Sequence, residues 1–188
     1  MLIPTKVITS AKGTTNKKDY REHLRAVCFD YDAEKNTLII VGTNAQVMIV
    51  NTIAAPDPDF CKKYFGNRQA YFFNDGTLDP KKPYTEFTEI DGKLVCNGAI
   101  LVRWDGMYPN WKVCIPEKDL TQATKYCGFN SELVKQLDKA LGWKDTIMTR
   151  IPRVNTTDNE HLAPHRWDLN VFDNCDTIVV LMPMRLEQ

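Results

Sequence analysis

The sequence predicts an α+β fold in which a helix followed by an antiparallel strand meander recurs along the chain. Three observations carry that expectation. Apolar, strand-like segments succeed one another between Ala26 and Val50, Asp91-Gly92 and Asn97-Gly98 are hairpin turn signals, and Ser131 to Leu141 has a strongly amphipathic helical pattern.

The elements follow in order. Asn16 to Arg25 reads as a short charged helix carrying Lys17, Lys18, Arg21 and Arg25 against Asp19 and Glu22. Ala26–Tyr31, Thr37–Val41 and Gln46–Val50 are β-rich runs separated by the turns Asp32–Asn36 and Gly42–Ala45. Connections this short exclude a parallel crossover, so the three pair as an antiparallel meander. In residues 54–83, Pro56, Pro58, Pro80 and Pro83 bracket a short helix near Phe60–Phe65 and a strand at Ala70–Phe73. Tyr84–Ile90 alternates cleanly, and the two turn signals lead into strands at Lys93–Cys96 and Ala99–Trp104. Further on, Ser131 is the expected N-cap of a helix whose stripe is Leu133, Val134, Leu137, Ala140 and Leu141, and Gly142 ends it. Strands are expected at Thr146–Ile151, Trp167–Phe172 and Thr177–Met182, with a polar loop from Pro152 to Pro164. The units divide as residues 1–53, 54–118 and 119–188, a period of roughly 60 that rests on pattern alone.

Lys plus Arg and Asp plus Glu both total 24 in 188 residues, which excludes a histone-like polycation but permits a local basic face. The one appreciable basic excess lies in residues 1–26, where Lys6, Lys12, Lys17, Lys18, Arg21 and Arg25 face two acids. No apolar stretch is long enough to span a membrane, and the first residues lack a signal-peptide pattern, so the expected location is the cytoplasm. The six cysteines are widely and irregularly spaced, mostly in apolar runs, and read as buried reduced thiols.

Two segments resemble the bacterial sliding clamp, the ring-shaped β subunit of DNA polymerase III. One is the C-terminal run Val179-Val180-Leu181-Met182-Pro183-Met184-Arg185-Leu186, similar to the strand into Met-Pro-Met-Arg-Leu with which such clamps end. The other is Trp104-Asp105-Gly106-Met107-Tyr108-Pro109-Asn110-Trp111 through Ile115-Pro116, similar to the connector closing one clamp domain. Gly128-Phe129-Asn130 before Ser131–Leu141 also looks like the entry to the last clamp helix. The resemblance implies a DNA-clamp-like fold with helices lining a hole, sheets outside, and a short divergent chain that assembles as a homo-oligomer. About four copies of a three-unit chain, or about six of a single clamp domain with an inserted lobe, would close a ring.

The resemblance implies a non-catalytic role in DNA replication or repair, as a processivity or docking factor. It implies contact with duplex DNA through phosphates, independent of sequence, for which the candidates are Lys17, Lys18, Arg21 and Arg25 on the first helix and Lys135, Lys139 and Lys144 on or after the last. It further implies an apolar groove holding extended peptides of a DNA polymerase or of repair proteins. The matching positions are Thr43, Pro116, Val180, Met182, Pro183, Met184 and Arg185. Thr43 is followed by Asn44-Ala45-Gln46-Val47-Met48, a departure from the family's Thr-Asp-Gly-His-Arg-Leu turn.

Two other readings stand beside this one. A module with a clamp fold that docks proteins without encircling DNA would use connector aromatics such as Trp104, Tyr108 and Trp111 as anchors, unless they pin the connector to the sheet. An enzyme is the other. However, no phosphate loop, dinucleotide fingerprint or nucleophile elbow occurs. His161 and His165 are separated by Pro164, and Asp57, Asp59, Asp75 and Asp79 read as turn residues, so neither a metal nor a cofactor is expected.

Overall fold

The chain is described by a computed structural model, in which residues 1–116, 130–142, 153–154 and 164–182 are the described ones. The N-terminal part forms β1 (Leu2–Pro4), α1 (Thr5–Thr14), β2 (Val27–Asp32), β3 (Thr37–Thr43) and β4 (Val47–Ala54). Next come α2 (Pro58–Phe65), β5 (Gln69–Phe72), β6 (Tyr84–Ile90), β7 (Lys93–Cys96), β8 (Ala99–Ile100) and β9 (Val102–Arg103). The remainder provides α3 (Ser131–Leu141), β10 (Arg153–Val154), β11 (His165–Phe172) and β12 (Cys175–Leu181). Every strand pairing among the described residues is antiparallel. The α+β class with antiparallel meanders read from the sequence is the class found.

One large sheet has the order β10-β11-β12-β4-β3-β2-β5-β9, so strands from the two ends of the chain meet where β12 pairs β4. A small sheet, β1-β6-β7-β8, is hydrogen-bonded separately and shares a core with the large one through Ile3, Phe87 and Leu94. The large sheet is covered on both faces, which explains the unbroken apolar run of β3. Leu38 and Ile40 face the side of α1 and α2, where they meet Val7, Ile8, Phe65 and Phe87. Ile39 and Val41 face the other side, against Tyr108 and Trp111. Continuing the helix side, Val134, Leu137 and Leu141 of α3 cover Val47, Ile49, Val179 and Leu181. The stripe read from the sequence is therefore the buried one.

Both hairpin turns form as read: Asp91 and Gly92 have φ of 51° and 74°, Asn97 and Gly98 of 49° and 84°. Two consecutive positive φ values define the turn type whose twist suits paired strands. Four cysteines, Cys28, Cys61, Cys96 and Cys175, are buried free thiols, whereas Cys114 is exposed. The expected strand at Thr146–Ile151, and Cys127, lie outside the described residues.

Three expectations need correction. Asn16–Arg25 is not a helix: it makes turns and a single 3₁₀ turn at Glu22–Arg25, with only Leu24 of that turn buried. The first helix is Thr5–Thr14, half of whose ten residues are β-branched and weak helix formers. Burial of Val7, Ile8 and Ala11 decides its conformation, since tertiary packing outweighs local propensity. The strand expected at Ala99–Trp104 divides at buried Leu101. Ala99–Ile100 pairs β7 in the small sheet, while Val102–Arg103 pairs β5 in the large one. Finally, Asn130 rather than Ser131 caps α3, its side-chain oxygen accepting from the Glu132 amide at 2.9 Å. Gly142 closes that helix in the left-handed conformation.

Candidate functional site

The large sheet presents two candidate surfaces, a pair of helices on one face and an apolar cleft on the other. The helices α1 and α3 lie side by side because small residues meet between them. A Cβ on Gly13 would stand 2.8 Å from the Cβ of Ala140. Gln136 locks the pair, donating to the Gly13 carbonyl at 3.0 Å and accepting from the Asn44 amide at 3.0 Å.

Of the predicted phosphate contacts, Lys135 and Lys139 project from the exposed side of α3, with Lys135 2.8 Å from Glu132. Lys17, Lys18, Arg21 and Arg25 do not sit on a helix but on the loop that follows α1. Three of those four face a carboxylate: Lys17 pairs with Asp75, Arg21 with Asp19, and Arg25 with Glu22 at 3.5 Å. The Arg21–Asp19 contact is two-pronged, at 3.0 Å on both arms, and its hydrogen bonds hold the Asp19 carboxyl down to about 2. Lys144 lies outside the described residues. The basic side chains that α1 itself carries are Lys6 and Lys12. Lys12 donates to the Asn74 carbonyl at 3.3 Å, and burial, with Lys17 nearby, pulls its pKa down. Sequence reasoning counted both lysines but assigned neither, because it placed the helix eleven residues too late. The signal was the burial spacing of Val7, Ile8 and Ala11, which turns Lys6 outward.

On the opposite face, Thr43, Val180 and Met182 converge on one cleft of about 230 Å³. Its floor is a cross-strand pair, Val180 against Met48. Its rim is the β3–β4 turn. There the Thr43 hydroxyl donates to the Val47 carbonyl at 2.8 Å, and the Asn44 side-chain oxygen accepts from the amides of Gln46 and Val47. The Met182 amide donates to the Gln46 carbonyl at 2.9 Å, fastening the end of β12 to that rim. Tyr108 and Trp111 build the far wall; at 1% and 6% exposure they pin the connector to the sheet rather than stand free as anchors. His23 packs beside the Trp104 and Tyr108 rings, 5.6 and 6.3 Å from their centres, and burial lowers its pKa. Met182 remains 40% exposed, an apolar side chain at the mouth. Walls of this kind take an apolar side chain of a partner, and methionines adapt to its shape.

Pro116 is buried but lies outside this lining, its carbonyl accepting from Arg166 at 2.7 Å; Pro109 supplies the proline instead. Pro183, Met184 and Arg185 lie outside the described residues. Sequence reasoning missed Leu24, His23, Tyr108 and Trp111 as lining, since their meeting depends on how the connector folds back.

Nothing in either surface gathers ligands for a metal: among the described residues no three His, Cys, Asp or Glu side chains are so placed. Asp57 caps α2 by accepting from the Phe60 amide at 3.0 Å, and Asp79 accepts from the Lys81 amide, both local turn roles. No helix among the described residues is long and apolar enough to cross a membrane.

No protein-family model matches the chain, and no curated protein matches it in sequence. Solved structures do. The DNA polymerase sliding clamp from Pseudomonas aeruginosa aligns with a TM-score of 0.62 at 13% identity, over 99% of this chain and 66% of that one. The DNA polymerase III beta subunit from Thermotoga maritima gives 0.58 at 12% identity, over 100% of this chain and 65% of that one. The DNA polymerase sliding clamp from Bacillus subtilis gives 0.54 at 11%, over 100% and 64%. The chain thus spans slightly less than two thirds of the length of these structures, and its fold is that of a sliding clamp.

Proposed function

We propose that this protein is a non-catalytic, clamp-fold processivity or docking factor of DNA replication or repair. Residues 1–53 and 119–188 act as two half-units of one arch, with residues 54–118 between them. The α1–α3 face rides on duplex DNA through phosphates, and the cleft on the other face holds an extended apolar segment of a polymerase or repair protein. The observation that carries this reading is the convergence of Thr43, Val180 and Met182, distant in sequence, on one apolar cleft behind a paired-helix face. Copies of the chain close around DNA by cyclic symmetry.

The test is topological. Molar mass in solution, with and without nicked circular DNA, is expected to show an oligomer that stays on the circle and slides off when the circle is linearised. A protein that remains monomeric at high concentration, or that leaves circle and linear DNA equally fast, is not an encircling clamp.

One observation favours a docking module that does not encircle. Lys17, Arg21, Arg25 and Lys135 are paired with carboxylates, which leaves Lys6, Lys12, Lys18 and Lys139 to meet phosphates. Peptide binding at the cleft without any salt-dependent DNA binding would select that reading.

A further inference from the structure

A second cleft, of about 680 Å³, opens between the start of β6, the β4–α2 connection and the β11–β12 turn. Its volume falls in the range of small-ligand sites. Lys6, Lys81 and Lys82 line it, and the single carboxylate in its lining is Asp173. Among the described residues none of these lysines takes part in an ion pair, unlike most cations of the N-terminal loop. Their positions are fixed by backbone: the Lys81 amide donates to the Asp79 side chain at 3.0 Å and the Lys82 amide to the Asp79 carbonyl at 3.0 Å. The Thr5 amide donates to the Pro83 carbonyl at 2.9 Å, which ties this turn to the first residue of α1, one position before Lys6. Tyr84, a strand residue with 53% of its surface exposed, and Phe172 line the same cleft.

We infer that this cleft binds single-stranded nucleic acid, with phosphates at Lys6, Lys81 and Lys82 and a base stacked on Tyr84. Unpaired ammonium groups beside an exposed aromatic ring are the combination that holds a single strand without reading its sequence. A duplex keeps its bases stacked inside and offers Tyr84 nothing, so the two surfaces differ in what they take. An acidic peptide would satisfy the lysines alone. The strand is favoured because the exposed Tyr84 ring lines the same cleft as the lysines, and an acidic peptide brings no base to stack on it. The inference goes beyond the proposed clamp role and does not require that role to hold.

The test is fluorescence anisotropy on the full chain with a labelled oligothymidylate of about 12 nucleotides and a duplex of equal length. The double variant K81Q/K82Q is expected to weaken oligothymidylate binding about tenfold and to lower its salt slope by about 1.4, the counterions of two phosphates. Y84A is expected to weaken it by about fivefold or more, with Y84F retaining affinity and neither change affecting the duplex. K139Q is expected to weaken the duplex and leave the oligothymidylate unchanged, which lets this inference and the clamp role fail separately. Oligothymidylate binding that is absent, or that survives both K81Q/K82Q and Y84A, overturns the inference. So does displacement of the strand by polyglutamate at lower concentration than by unlabelled oligothymidylate. A change in solution mass with Y84A, without loss of strand binding, overturns it in favour of a second copy in the cleft. These side chains are exposed, and K81Q/K82Q carries the test should Y84A fold poorly.

Discussion

The Thr177 hydroxyl donates to the side-chain oxygen of Asn51 across 2.8 Å, joining two residues 126 positions apart and directly opposite each other where β12 pairs β4. The Asn51 amide then donates to the Val7 carbonyl and the Ser10 hydroxyl of α1, both at 2.8 Å, all of it fully buried. One carboxamide therefore fixes a helix over the seam of the sheet. Replacing it by Leu strands several buried polar groups at once. N51L is expected to cost about 2–4 kcal/mol in urea unfolding. T177V should cost less, and the double variant less than the sum of the two. Additive losses would show that Asn51 and Thr177 do not act as a network.

Gly42 faces α1 so closely that a Cβ there would lie 1.8 Å from the Ala11 carbonyl oxygen. No rotamer relieves a clash with backbone. G42A is expected to destabilise by about 3 kcal/mol or more, since α1 must lift from β3. G76A, with open space around its Cβ but φ of +85°, should cost only about 1 kcal/mol. Equal midpoints in thermal unfolding would refute the close approach.

Met182 at the cleft mouth is half in water and contributes little to the core. M182E is expected to leave stability within about 0.5 kcal/mol of the parent. It should lower affinity for an extended apolar peptide at least tenfold, because a carboxylate would have to be desolvated on binding. Calorimetric titration with the same peptide against both proteins checks this.

On the helix face, K12Q and K139Q are each expected to reduce the salt slope of duplex binding by about 0.9, one released counterion apiece. K17Q should do less, because the Lys17 ammonium already faces Asp75. Anisotropy across a salt series measures the three slopes. A larger effect from K17Q than from K139Q would move the contact to the loop after α1.

His165 is fully buried on β11, packed near Trp167, and burial pushes its pKa from 6.5 down to about 4. The folded protein keeps this ring neutral where the unfolded chain protonates it. The unfolded state therefore binds more protons between pH 6.5 and 4, and stability falls as pH falls through that window. Above pH 6.5 the ring contributes no slope. H165Q is expected to flatten that part of the stability curve. An unchanged slope from unfolding at successive pH values would assign the acid loss to carboxylates.

Local chemistry made much of this fold legible. The Asp91-Gly92 and Asn97-Gly98 turns, the β2–β4 meander and the Ser131–Leu141 stripe are each set by residues within a few positions of one another. Helix α1 was not legible, because Thr5–Thr14 is helical through burial against strands that come later in the chain. The division of Ala99–Arg103 between two sheets at Leu101 likewise depends on partners far away. At the cleft, Thr43, Val180 and Met182 were named through resemblance, whereas for Tyr108 and Trp111 the sequence left open whether they stand free or pin the connector, which depends on how it folds onto β3 and β4.

The seam between β4 and β12 also sets the timetable of folding. During synthesis Val47–Ala54 emerges well before its partner, and its outer edge stays open until Cys175–Leu181 leaves the ribosome. A bare apolar edge of eight residues is a nucleus for intermolecular pairing. Such long-range closure also makes folding slow. Shielding that edge is a task for chaperones, and products of premature termination would be the species most prone to aggregate.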